Sequence, residues 1–288
     1  MRTLLAGALL LLSQTLCAIE IDRLENVLHR QQAPFSYPLD IKVAKGEKSN
    51  ASVMVCCHGY GSNNSLMDVI DSYRVVSDHL VAFNFPDHDI TEQSDPKKVT
   101  FGTINELLPV LYVLKLIAVD GGEETVSIYG FSAGGGAVVN AIGVLNTGEY
   151  DAQLQAVGIS TADKQTILKA IQNGVVLLDA PLKSVEECYA GKRKIPTDDV
   201  RIQNYRKNNM RPVDALQKWE GLTLSVVVFF QDPDEAVANR DDRLFAQRVR
   251  QYNPKGRNKI LITDEGGHCG FHHSLWNAYH NLTADRQP

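Results

Sequence analysis

Along the chain, short runs of β-branched and aromatic residues alternate with longer segments in which apolar residues recur at helical spacing. The strand-like runs are Phe35–Val43, Ser52–Cys57, Leu80–Phe85, Thr125–Tyr129, Val175–Leu178, Leu224–Phe230 and Lys259–Thr263. Several are apolar almost throughout, the pattern of strands covered on both faces. Between them the spacing predicts helices over Ser65–His79, Glu106–Ala118, Ala133–Leu145, Asp163–Asn173, Asn239–Tyr252 and Ser274–Asn281. Pro109 is placed by this reading in the first turn of its helix, where a missing N–H costs little. Strands that alternate with helices predict an α/β fold with a mostly parallel central sheet flanked by helices. One stretch breaks the alternation. Residues Lys183–Gly221 are mainly polar, carry a basic cluster at Lys192–Lys194 and are interrupted by Pro196 and Pro212. They are too few for a core of their own, and a small lid insertion over the sheet is expected there.

The N-terminus departs from this pattern. Arg2 is followed by an apolar run from Leu4 to Leu12 and a small, polar stretch to Ala18. This is the layout of a secretory signal peptide, and the run is far short of the roughly 20 residues that span a bilayer. The expected organisation is therefore a signal peptide over residues 1–18 and one domain over 19–288, with a secreted or periplasmic location and no stable membrane span. The 288 residues are 44% hydrophobic and 22% charged with a formal net charge of -5, which gives no long-range attraction for phosphate backbones. Nucleic acid is not an expected partner. Of the five cysteines, the adjacent Cys56 and Cys57 would point to opposite faces of a strand and read as small buried hydrophobes. The sequence leaves the pairing of Cys188 with Cys269 open, and likewise the oligomeric state.

Candidate chemistry centres on Gly130-Phe131-Ser132-Ala133-Gly134, placed between a strand and a glycine- and alanine-rich helix. A serine on so sharp a turn has its hydroxyl pushed out over the sheet, and its neighbours two before and two after must be small. A serine hydroxyl needs a base, itself oriented by a third group. His268, in the glycine-rich loop Gly266–Gly270 after the last strand, is the candidate base; His272 and His273 read as surface residues at a helix start. No second cysteine or carboxylate pair stands at ligand spacing beside these histidines, so no metal is expected. The acid should end a strand between serine and histidine. Asp232 and Asp234 follow Leu224–Phe230, and Asp179 follows Val175–Leu178. Backbone donors for an oxyanion are expected from Ala133, directly after the serine, and from Tyr60 in the loop His58–Asn63. His58 is expected to brace that loop.

Together His58-Gly59 after a strand, the serine turn, a strand ending in an acid and a late Gly-Gly-His resemble the α/β-hydrolase superfamily, from Ser52 to Asn281. In that family the acid commonly lies three residues after a glycine and three before a valine. Gln231 stands at the glycine position and Val237 at the valine, and the resemblance implies Asp234 as the acid. Many members have an Asp-x-Arg-Gly turn where this chain has Asn84-Phe85-Pro86-Asp87-His88-Asp89. The implied protein is a serine hydrolase cleaving a small or lipid-like ester or related acyl bond, with catalytic Ser132, Asp234 and His268, an oxyanion hole at Tyr60 and Ala133, and no cofactor. A peptidase or thioesterase on the same residues, and a non-catalytic binding protein of this fold, are the alternatives.

Overall fold

Seven strands form one sheet in the order β1-β3-β2-β4-β5-β6-β7. They are β1 (Ile41–Ala44), β2 (Val53–Cys57), β3 (His79–Phe83), β4 (Val126–Phe131), β5 (Val175–Asp179), β6 (Ser225–Gln231) and β7 (Arg257–Thr263). The computed structural model describes residues 21–30, 33–35, 39–46, 52–60, 62–72, 78–86, 102–184, 210–232, 241–263 and 273–284, with Pro196, Asp198, Gln203, Asp234 and His268. Strands β2 to β7 pair in parallel, and β1 joins the edge antiparallel to β3.

The helices are α1 (Ile21–Arg30), α2 (Leu66–Ser72), α3 (Ile104–Lys115), α4 (Ala133–Leu145), α5 (Asp151–Ala156), α6 (Thr161–Asn173), α7 (Pro212–Ala215), α8 (Asp242–Tyr252) and α9 (His273–Ala284). They cover both faces of the sheet. Because side chains alternate along a strand, Val53, Val55 and Cys57 of β2 pack into one apolar layer, with α1, α3, α4, α6 and α8. Met54 and Cys56 enter the opposite layer, with Leu275, Trp276 and Tyr279 of α9. Cys56 and Cys57 are buried free thiols on opposite faces. Among the described residues, no helix is long and apolar enough to cross a membrane.

Several boundaries differ from the sequence pattern for local reasons. Helix α3 starts two residues early because the Thr103 hydroxyl caps it, accepting the Glu106 N–H at 3.3 Å. Pro109 therefore lies in the second turn, where its missing N–H removes a backbone bond. Helix α6 starts early as well: Ser160 and Asp163 form a reciprocal capping box. His79 opens β3 and does not close the preceding helix. The first strand begins only at Ile41. Helices α1 and α5 were not anticipated. In α1 the buried Leu24 and Leu28 sit four apart, one turn of a single apolar face.

The signal-peptide segment, Cys188 and Cys269 lie outside the described residues. So does most of the 183–221 stretch. Its described end is packed on α4: Asn140 donates to the Met210 carbonyl at 3.0 Å, Trp219 Nε1 donates to the Val139 carbonyl at 3.2 Å, and Trp219 is fully buried.

Candidate active site

The strand order changes direction between β2 and β4: the chain leaves β2 for β3 on one side and returns to build β4 to β7 on the other. Crossover helices diverge at such a point and leave a crevice beyond the carboxyl ends of the strands. Cys57 of β2 pairs there with Gly130 of β4, so the loop after β2 and the turn after β4 meet at the crevice.

Ser132 occupies that turn with φ 51° and ψ -117°, a conformation unfavourable for any residue with a side chain. Neighbouring backbone holds it there. Its N–H donates to the Asp179 carbonyl at 2.9 Å, and its own carbonyl accepts from Leu182 at 2.8 Å. The flanking glycines are sterically required. A Cβ on Gly130 would lie 2.7 Å from the Gly135 Cα, and one on Gly134 would overlap the carbonyl oxygens of Cys57 and His58. The second overlap shows how tightly the β2 loop is pressed onto the start of α4. Ser132 is 9% exposed, at the N-terminal end of α4, where first-turn N–H groups lack helical partners and favour negative charge.

The three residues singled out in sequence for the triad meet in one chain of hydrogen bonds. His268 Nε2 lies 2.9 Å from Ser132 Oγ, and His268 Nδ1 lies 2.7 Å from Asp234 Oδ2. The Asp234 side chain is 5% exposed. A proton on Nδ1 satisfies this carboxylate and leaves Nε2 a lone pair toward the serine. Asp232 is exposed, and its N–H extends the β6–β7 ladder by donating to the Thr263 carbonyl at 2.8 Å. Asp179 accepts from the Tyr129 hydroxyl at 2.7 Å. Burial pushes its carboxyl up to about 7, against the Tyr129 hydrogen bond that favours the ionised form.

Ala133 is the first residue of α4, and Gly59 next to Tyr60 comes so close that its Cβ would lie 3.1 Å from the Ser132 Cβ. Both oxyanion candidates thus stand next to residues that meet the serine; Tyr60 is 38% exposed. His58 is a brace. Its Nδ1 lies 2.8 Å from the Gly59 carbonyl, and its Nε2 accepts the Phe85 N–H at 3.1 Å. Burial lowers its pKa to about 4, so the imidazole is neutral at physiological pH. His273 is exposed at the start of α9; His272 lies outside the described residues.

Sequence reasoning missed three supports. Phe85 pins His58 through its N–H and an edge-on ring contact with centroids 5.0 Å apart. The Asn84 side chain accepts the Asn64 N–H at 2.7 Å, tying two loops together. Phe131, the variable residue before the serine, places its ring 5.2 Å from the His268 imidazole and against Gly59. Phe131 has no sequence signature beyond lying next to a motif residue; Asn84 and Phe85 stand in the loop that departs from the Asp-x-Arg-Gly turn, where no particular contact could be read.

No protein-family model and no curated protein matches the chain. Solved structures do. Est1E from Butyrivibrio proteoclasticus, solved with ferulic acid bound, is similar over 86% of this chain and 95% of its own, with 14% identity and a TM-score of 0.57. The carboxylesterase Cest-2923 from Lactobacillus plantarum is similar over 88% and 92%, with 15% identity and a TM-score of 0.59. An acylaminoacyl peptidase from Pyrococcus horikoshii matches 88% of this chain with 40% of its own, at 14% identity and a TM-score of 0.55. The chain has the α/β-hydrolase fold, with a mostly parallel seven-stranded sheet flanked by helices.

Proposed function

We propose that this protein is a secreted serine hydrolase that cleaves a carboxylic ester or a related acyl bond through an acyl-enzyme on Ser132. The observation that carries the reading is the unbroken chain Asp234–His268–Ser132, with contacts of 2.7 and 2.9 Å, at the crevice of the sheet. Ser132 Oγ attacks the acyl carbon while its proton passes to His268 Nε2; Asp234 holds Nδ1–H and stabilises the imidazolium. The oxyanion is received by the N–H groups of Tyr60 and Ala133. Collapse returns the proton to the leaving alkoxide, and a water activated by the same imidazole hydrolyses the acyl-enzyme. These steps require no metal or organic cofactor.

Secretion rests on the N-terminal segment, and the ester class on likeness to a carboxylesterase. Likeness to an acylaminoacyl peptidase keeps amide cleavage as the second reading, since the same triad serves both and the pocket selects the leaving group. The test is turnover of nitrophenyl esters of rising acyl length beside matched thioesters and peptide amides, for the protein and for Ser132→Ala. Ester turnover abolished by the substitution is expected; ester turnover that survives it rejects the reading, and amide turnover exceeding ester turnover selects the second.

A further inference from the structure

Asp179 is not used by this mechanism, yet it lies beside the triad. It ends β5, the strand between β4, which leads into Ser132, and β6, which leads to Asp234. Its backbone carbonyl accepts the Ser132 N–H. Its side chain is buried: Oδ2 accepts from Tyr129, while Oδ1 has no hydrogen-bond partner among the described residues. A buried acceptor left unpaired is costly. The next residue, Ala180, has φ 43°, in the left-handed region that residues other than glycine avoid. An orphaned carboxyl oxygen and a strained turn at one strand end form the kind of arrangement retained at functional sites.

The titratable groups acting on Asp179 are Tyr129 on β4, His268 in the loop after β7 and Asp234 in the loop after β6. The imidazole favours its ionised form, and the neighbouring carboxylate opposes it. Helix α9, packed on β5, contributes the Trp276 ring stacked on Tyr129 at 5.3 Å.

We propose that Asp179 is a second acid for His268: a positioning residue whose carboxylate supports the imidazolium beside Asp234 and sustains turnover when Asp234 is removed. This rests on the Ser132 reading above. The proton still moves from Ser132 Oγ to His268 Nε2, and Asp179 contributes charge and orientation without taking it. Because burial holds the carboxyl neutral below about 7, the support is present above that pH and absent below it.

Ester turnover of Ser132→Ala, Asp234→Asn, Asp179→Asn, the double variant Asp179→Asn/Asp234→Asn and Tyr129→Phe/Asp234→Asn, from pH 5.5 to 9, tests this. At high pH Asp234→Asn is expected to remain at least about tenfold above the double variant and to rise with pH through the neutral range. Removing the Tyr129 hydroxyl, which favours the ionised carboxyl, should move that rise to higher pH. This arm still decides the matter if Asp179→Asn fails to fold. Equal rates for Asp234→Asn and the double variant at every pH, or a rise unmoved by Tyr129→Phe, overturn the proposal. Turnover surviving in Ser132→Ala would instead reject the Ser132 reading.

Discussion

The two ends of the sheet carry similar side chains in different order. At the carboxyl ends of the strands, Asp234, His268 and Ser132 are joined in series, with the imidazole between acid and hydroxyl. At the amino ends, Asp78 accepts directly from the hydroxyls of Ser52 and Tyr279, and the imidazole of His79 turns away to accept the Gly46 N–H at 3.0 Å. Ser52 donates its hydrogen bond to a carboxylate, with no imidazole beside it among the described residues; Ser132 faces an imidazole and sits on a strained turn. Composition alone therefore does not distinguish the two serines. The order of hydrogen bonds does, together with a backbone that aims the hydroxyl into a crevice.

The largest expected effect comes from breaking each serine in turn. Ser132→Ala should reduce ester turnover by about 10⁵- to 10⁶-fold with little change in melting temperature. Ser52→Ala should leave turnover within about twofold but destabilise by roughly 1–3 kcal/mol, since a buried carboxylate loses a donor. Calorimetry and steady-state rates on the same samples separate the two. A smaller loss of turnover, together with lower stability, is expected from Gly134→Ala, because the new Cβ would force the carbonyls of Cys57 and His58 away from α4 and displace the Tyr60 loop. A turnover loss of at least about 10²-fold, measured on whatever folded protein is recovered, is the expected outcome.

How much of this was legible in the sequence follows the same division. The carboxyl end of the sheet was readable because its geometry demands particular residues: Gly130 and Gly134 are fixed by backbone collisions, and strand–turn–helix context was visible in the apolar pattern. Asp234 was reached through its spacing from Val237 in a resemblance, while Asp232 and Asp179 stayed open; of the three, Asp234 is the one placed 2.7 Å from His268 Nδ1. The network around Asp78 was invisible, since it joins residues 52, 78 and 279, which no local periodicity connects. Helix caps at Thr103 and Ser160 moved element starts that apolar spacing alone had set later.

A smaller effect sharpens the contrast through pH. Burial raises Glu123 to about 7, against the Thr125 N–H that favours the ionised form, and the nearby Glu124 and Asp78 add to the shift. A carboxyl whose folded value lies above its unfolded value binds its proton more tightly when folded, so its contribution favours folding at low pH and is lost as pH rises from about 4.5 to about 7. Glu123→Gln should therefore raise the melting temperature at pH 8 relative to the parent by about 1–3 °C, and by less at pH 5, with turnover little changed. An equal shift at both pH values would show that Glu123 ionises without cost.

The proposed function makes Ser132 a nucleophile activated by His268. Its most direct test is peptide mass mapping after exposure to a fluorophosphonate, which phosphonylates an activated serine irreversibly. One phosphonyl group on the peptide carrying Ser132, abolished in Ser132→Ala and slowed by at least about 10³-fold in His268→Ala, is the expected result. Labelling that persists in Ser132→Ala, or that proceeds at the parent rate without His268, would contradict it.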